Sequence, residues 1–261
     1  METSRPATDA RLRVFVTDPV GIQHPGGFCD TASIPGRQGR LLFAMLVCER
    51  HHALTRGAVA DGLWGDHLPS SWEAALSALL SKIRGLLEEA DPTGEATVKT
   101  AFGAHQIHLP VDTWVDFEAA RSRIDDAEGA RRDDDFDRAW GDAHVAWSIA
   151  SRDFLVGEDA HWIDARRREL DAIAVRALGC MADVWLDRGE YELAAKCASE
   201  IIDRQPFRED AYRRLMRAQS SAGNRAEALR TFERCRHLLE TELGVAPDPA
   251  TTALRESLLA G

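Results

Sequence analysis

GRQGRLLFAMLVCERHH (residues 36–52), TRGAVADGLWG (55–65) and PSSWEAALSALLSKIRGLL (69–87) read together as three short helices around one core. In the third, Leu76, Leu79, Leu80, Ile83 and Leu87 recur at helical spacing as one apolar stripe. The opposite face carries Ser70, Ala74, Ser77 and Ser81, small groups that let a helix sink deep into a groove. The first two helices are short and separated by a turn, as a helix-turn-helix requires.

The flanks extend this core. Upstream, LRVFVTD (12–18) alternates at period two, and Pro19-Val20-Gly21 marks a turn. Ile22 and Phe28 are strand positions in the Gly- and Pro-rich stretch that follows, which predicts a small antiparallel sheet. Downstream, Asp91-Pro92-Thr93-Gly94 is a loop, and VKTAFGAHQIHL (98–109) reads as two short strands about Phe102-Gly103-Ala104. A strand–turn–strand directly after a recognition helix is where a wing belongs. Pro110 closes the domain.

From residue 111 onward the signals are helical. Helices are predicted over 116–128, 136–150, 162–186, 191–204, 209–222 and 225–243, with a short last one after Pro247-Asp248-Pro249. The fourth of these ends at Gln205-Pro206, because the residue before proline is pushed out of the α conformation. RGEYELAAKCASEII and AGNRAEALRTFERC form an internal repeat: Gly189 and Gly223 lie 34 residues apart, and the offset superposes Ala194 on Ala228 and Leu193 on Glu227. A helix pair of that period, with Gly at the turn and Ala at the close approach, is the tetratricopeptide signature. DDFDRAW (134–140) is an earlier partial copy. The chain is thus an α-rich two-domain protein. A winged helix-turn-helix over 11–110 follows a disordered arm at 1–10, and an all-α tetratricopeptide-like domain occupies 111–261.

Composition sets bounds. Apolar residues at 44% and charged residues at 29% describe an ordinary globular protein. No apolar run approaches the roughly 20 residues needed to cross a bilayer, and no membrane partner is expected. Cys29, Cys48, Cys180, Cys197 and Cys235 are odd in number and scattered, which reads as buried thiols in a reducing cytosol. The net charge of −11 is uneven: residues 1–110 hold ten Lys/Arg and twelve Asp/Glu, residues 111–261 hold 22 and 31. Between residues 31 and 84 the balance turns slightly positive through Arg37, Arg40, Arg50, Arg56, Lys82 and Arg84. That is a weak electrostatic footprint, so DNA binding would be salt-sensitive and need more than one subunit.

GRQGRLLFAML, DGLWGDHLPSSWEAAL, SKIRGLL, AGNRAEALRTFERCRHLLETELGVAPDP and ALRESLL together resemble the SARP-type bacterial transcriptional activators. In that family a winged helix precedes a bacterial transcriptional activator domain of tetratricopeptide-like repeats. The resemblance covers nearly the whole chain, from about residue 12 to residue 259. It implies a cytoplasmic regulator that binds repeats in double-stranded DNA near a promoter, assists RNA polymerase and self-associates on DNA. One departure stands out. Many such proteins carry Arg, Asn, Gln or His where this chain has Glu73, Ala74, Ser77 and Leu79. Long polar side chains there read base edges; a small face leaves more of the recognition to shape and backbone contacts.

The candidate DNA contacts follow from placement. Arg37 and Arg40 flank the start of the first helix, and Arg56 starts the second; helix ends of this kind face phosphates. The alternative for each is an ordinary solvated arginine. Ser70, Ser71, Trp72, Ala74, Ser77 and Ser81 form the start and exposed face of the recognition helix, with Lys82 and Arg84 as its phosphate contacts. Lys99, Thr100, His105 and Gln106 flank the wing turn and are expected to reach a neighbouring groove or backbone. Trp64 is assigned to core packing. Asp133, Asp135 and Asp137 mimic the opening of a calcium loop, but Arg138 stands where Gly is required and His144 where Glu closes it, so an acidic helix start is the better account. His51-His52 and His105-x-x-His108 lack metal-site spacing, no nucleotide or catalytic motif is present, and neither cofactor nor enzymatic activity is expected. A reading from another class stays open: a tetratricopeptide adaptor whose winged helix binds protein.

Overall fold

The structure, a computed structural model, describes residues 12–29 and 36–260. The arm expected at 1–10 lies outside these residues. The chain forms two compact units, residues 1–119 with 152–170, and residues 120–151 with 171–261. The sequence suggests a cut at Pro110; the compact units divide after Ala119, and residues 152–170 return to the first.

The first unit opens with a four-stranded sheet built from β1 (Arg13–Phe15), β2 (Gly21–His24), β3 (Gly27–Cys29) and β7 (Trp114–Val115), in the order β3-β2-β1-β7. The alternation in LRVFV sets its faces: Leu12, Val14 and Val16 are buried, while Arg13 and Phe15 are half-buried. Val14 sits opposite Ile22 in antiparallel β2 and Val115 in parallel β7. On the other face Phe15 meets Trp114 and Phe28 at centroid distances of 5.4 and 5.9 Å. Asp116, directly after β7, is a buried acceptor. Its carboxylate takes hydrogen bonds from the amides of Val16 (3.0 Å), Thr17 (3.0 Å) and Phe117 (2.7 Å) and from the Thr17 hydroxyl (2.5 Å).

Three helices follow in the order expected. α1 (Gly36–Cys48) is buried on every side from Leu41 to Val47 and forms the centre of the unit. β4 (Leu54–Thr55) leads into α2 (Arg56–Trp64), where Thr55 caps the helix by accepting from the Ala58 amide at 3.2 Å. α3 (Trp72–Ala90) buries Leu76, Leu80, Ile83 and Leu87, with Leu79 half-buried beside them. β5 (Thr97–Ala101) and β6 (Ala104–His108) make the wing hairpin, and β4 joins them in a sheet of order β4-β6-β5. The turn places Phe102 (φ +52°) and Gly103 (φ +75°) in the left-handed region, and Phe102 projects fully exposed at the tip.

The second unit is all helical: α4 (Asp116–Arg132) from residue 120, α5 (Phe136–Ala150), α6 (His161–Asp187) from residue 171, α7 (Tyr191–Arg204), α8 (Glu209–Ser221), α9 (Arg225–Leu243) and α10 (Pro249–Ala260). Successive antiparallel pairs pack through the repeat. Gly189 (φ +77°) and Gly223 (φ +81°) make equivalent turns, and Ala194 and Ala228 are both wholly buried. Ala228 packs with Met216 and Phe232, and Leu254 and Leu258 of α10 close over them. Leu193 lies partly exposed, so its superposed partner Glu227 is accommodated at the surface. Asp135 caps α5, accepting from the Arg138 amide at 3.2 Å, as expected of an acidic helix start.

Candidate nucleic-acid interface

The exposed face of α3 carries Glu73, Ala74, Ser77, Ala78, Ser81 and Lys82, with Trp72 half-buried at its start. Ser70 and Ser71 are exposed in the turn before it, and the Ser71 hydroxyl makes no capping bond. Ser77 is partly occupied: its hydroxyl donates to the Glu73 carbonyl at 2.9 Å. Lys82 is thus the cation on a face otherwise made of small groups, with acidic Glu73 in the first turn.

Arg84 does different work from the phosphate contact expected of it. Its Nε donates to the Val98 carbonyl and its Nη2 to Thr100 Oγ1, both at 2.9 Å. Thr100 Oγ1 in turn lies 2.9 Å from His105 Nδ1. This chain of contacts fixes the wing against α3. His105 is 3% exposed, and its Nε2 is buried without a hydrogen-bond partner among the described residues. Burial first, and then the nearby Arg56 and Arg84 charges, hold its pKa below the usual histidine value. Gln106, half-buried on the other side of the strand, is also engaged: its Nε2 donates to the Arg50 carbonyl at 2.9 Å. Lys99 is the exposed cation of the wing.

Parity within β6 contains the signal for His105. It alternates with Gln106 and shares its side of the strand with buried Ile107. Two adjacent strand residues cannot both point outward from one face. Gln106, on the opposite side, is held by a contact 56 residues distant, for which the local sequence offers no cue.

Arg37 and Arg50, at the two ends of the first helix, also find partners. Arg37 lies 2.5 Å from the carboxylate of buried Glu158, 121 residues away. Arg40 is exposed and lines a small recess with Asp18 and Asp153. Arg50 is held by Glu118 through two bonds of 2.6 and 2.8 Å. Arg56 is exposed beside the wing turn, with its amide donating to the Gly103 carbonyl at 3.0 Å. Arg40, Arg56, Lys82 and Lys99 therefore remain as exposed cations on α1, α2, α3 and the wing. Trp64 lines a cleft of about 810 Å³ bounded by α1, α2 and residues 158–163, where Trp162 Nε1 donates to the Gly62 carbonyl at 3.1 Å. Among the described residues no cluster of His, Cys, Asp and Glu is arranged to hold a metal ion. Among the described residues no helix is long and apolar enough to cross a membrane.

A family model described as bacterial transcriptional activator domain matches residues 115–259. The regulatory protein AfsR of Streptomyces coelicolor is 27% identical over 248 residues, which cover 95% of this chain and 24% of AfsR. The regulatory protein DnrI of Streptomyces peucetius is 23% identical over 258 residues, covering 95% of this chain and 92% of DnrI. This chain thus spans about a quarter of the length of AfsR but nearly all of DnrI. Among solved structures, Mycobacterium tuberculosis EmbR in complex with a low affinity phosphopeptide superposes with a TM-score of 0.84 at 22% identity. The match covers 97% of this chain and 66% of that one, and shows a shared fold.

Proposed function

The chain belongs to the family of proteins with a bacterial transcriptional activator domain and is a transcriptional regulator of the SARP type, and from that premise we propose that it binds double-stranded DNA in a sequence-specific manner and activates transcription. Members of this family are regulators, not enzymes. The observation that carries the proposal is the exposed face of α3, flanked by a wing that Arg84 fixes beside it. A helix with Ala74, Ser77 and Ser81 outward enters a major groove closely, and Lys82 and Lys99 meet the phosphates on either side. Arg56 adds a third cation next to the wing turn.

Three such cations give a modest counterion-release term, so affinity falls with salt at a shallow slope. Specific occupancy then rests on neighbouring protomers on tandem repeats, which raise affinity through effective concentration. A tandem site should bind more tightly than a single half-site; equal affinities contradict cooperative binding. Once docked, the regulator assists RNA polymerase at the same promoter.

Footprinting of the upstream regions that neighbour the protein's own gene, at two salt concentrations, tests the reading. Protection that weakens with salt supports it. No protection at low salt favours the adaptor reading, for which the small face of α3 and the Ser77 bond back to Glu73 speak.

A further inference from the structure

The wing hairpin turns through Phe102 and Gly103, with Ala101 and Ala104 as the last pair of its ladder. Both turn residues hold positive φ, +52° and +75°. That is the pattern of a two-residue type I′ turn, whose first position favours Asn, Asp or Gly. A bulky L residue holds the left-handed conformation at a cost, because its Cβ crowds the following carbonyl. Phe102 recovers nothing by packing. Its side chain is fully exposed, while Val98 and Ile107 fill the buried side of the hairpin. Folding alone favours Asn here, yet the chain carries an aromatic ring turned to solvent.

The tip is narrow and held in place. Ala101 and Ala104 flank the ring with single methyl groups, and Gly103 adds no side chain. The Arg56 amide donates to the Gly103 carbonyl at 3.0 Å, and Arg84 ties β5 to α3 through Val98 and Thr100. Two exposed cations stand near the turn, Arg56 at the start of α2 and Lys99 on the same side of β5 as Ala101. With α3 in a major groove, a wing packed beside it reaches across one phosphate strand to the adjoining minor groove, which is about 6 Å wide. A tip of two alanines and a glycine fits that width and leaves the ring to meet the base pairs.

We propose that Phe102 is a wedge that enters this minor groove, parts one base step and bends the DNA. The inference rests on the proposed DNA binding and deepens it. Apolar side chains inserted in this way kink a duplex by about 20–90° toward the major groove. Pyrimidine–purine steps open most easily, so the wedge reads sequence through deformability. It thereby supplies selectivity that the short side chains of α3, Ala74, Ser77 and Ser81, do not reach.

Phe102→Asn separates a role on DNA from any role in folding. Asn suits the left-handed turn, so the variant should melt about 2 °C higher than the native chain. Its affinity for the footprinted upstream fragment should fall about tenfold, the scale of one lost base stack. The salt slope should stay unchanged, because no phosphate contact is removed. 2-Aminopurine, substituted in turn for each adenine of the protected site, should brighten at one step with the native chain and stay quenched with Phe102→Asn. Circularly permuted fragments should show a bend in the native complex that the variant reduces. Val111→Asn removes an equally exposed apolar side chain just past the far end of β6 and should change neither readout. A native chain that leaves the fragment unbound at low salt overturns DNA binding itself, and the wedge with it. Native binding with 2-aminopurine quenched at every position, or equal affinity and bend in the native and Phe102→Asn proteins, overturns the wedge alone.

Discussion

Replacing Arg84 by Ala separates a wing-positioning role from a phosphate contact. The truncation removes the bonds to the Val98 carbonyl and Thr100 Oγ1, each 2.9 Å, and frees Thr100 from one side of its contact with His105. Hydrogen bonds from a cation contribute about 1.5–3 kcal/mol each when buried, and half-burial of Arg84 lowers the pair to about 2 kcal/mol in total. For a unit of this size that is a fall of about 4–8 °C in Tm. DNA affinity should fall as well, because the wing is no longer fixed beside α3. The slope of log K against log salt should stay unchanged, since no phosphate contact is lost. Melting curves and a salt series of binding isotherms read both quantities on the same variant. Arg84→Lys keeps the charge but not the fork, and should fail to restore stability. An Arg84→Ala protein of unchanged Tm whose slope flattens by about 0.9 would refute the positioning role.

Lys82→Ala should do the opposite, flattening the slope by about 0.9 while stability changes by less than about 0.5 kcal/mol; the same two assays check it. His105 has a folded-state pKa below its ordinary value. Its contribution is therefore complete above the ordinary histidine pKa of about 6.5 and is lost as pH falls through that value toward the folded one. Urea melts across this range should show the loss in the native chain and a flatter profile in His105→Gln. Ala228→Phe forces a large ring between Met216 and Phe232, at a cost of about 1–3 kcal/mol. Circular dichroism melts report that loss, and DNA affinity per folded molecule should be unchanged.

Local signals located nearly every helix because its ends are written in adjacent residues. Gln205 before Pro206 leaves the α conformation (φ −136°, ψ 80°) and stops α7 at Arg204, and Gly223 turns the chain between α8 and α9. Alternation in LRVFV placed β1 for the same reason. β7, two residues long, is too short to carry a period and forms through parallel pairing with β1. Asp116 was legible as a helix start, but its role as acceptor for Val16 and Thr17 depends on a contact across 100 residues. The candidate site divides along the same line. Exposure of Ser77, Ser81 and Lys82 followed from helical spacing. Whether an arginine is free depends on distant carboxylates and carbonyls: Glu158 for Arg37, Glu118 for Arg50 and Val98 for Arg84. These pairings arise only when the chain is folded, so a tally of local charge overstates the cations available to DNA.

Tethered cleavage from the centre of α3 tests the central claim most directly. Ser77→Cys, in a background with half-buried Cys48 and Cys197 changed to Ser, carries an iron chelate that cuts nearby DNA by hydroxyl radicals. The exposed position should accept the label without loss of fold. If α3 enters the major groove, cuts fall inside the footprint on both strands, clustered within each repeat, and disappear at high salt with the footprint. A labelled protein that protects its site but leaves the DNA within it uncut would contradict the assignment of α3 as the reading helix.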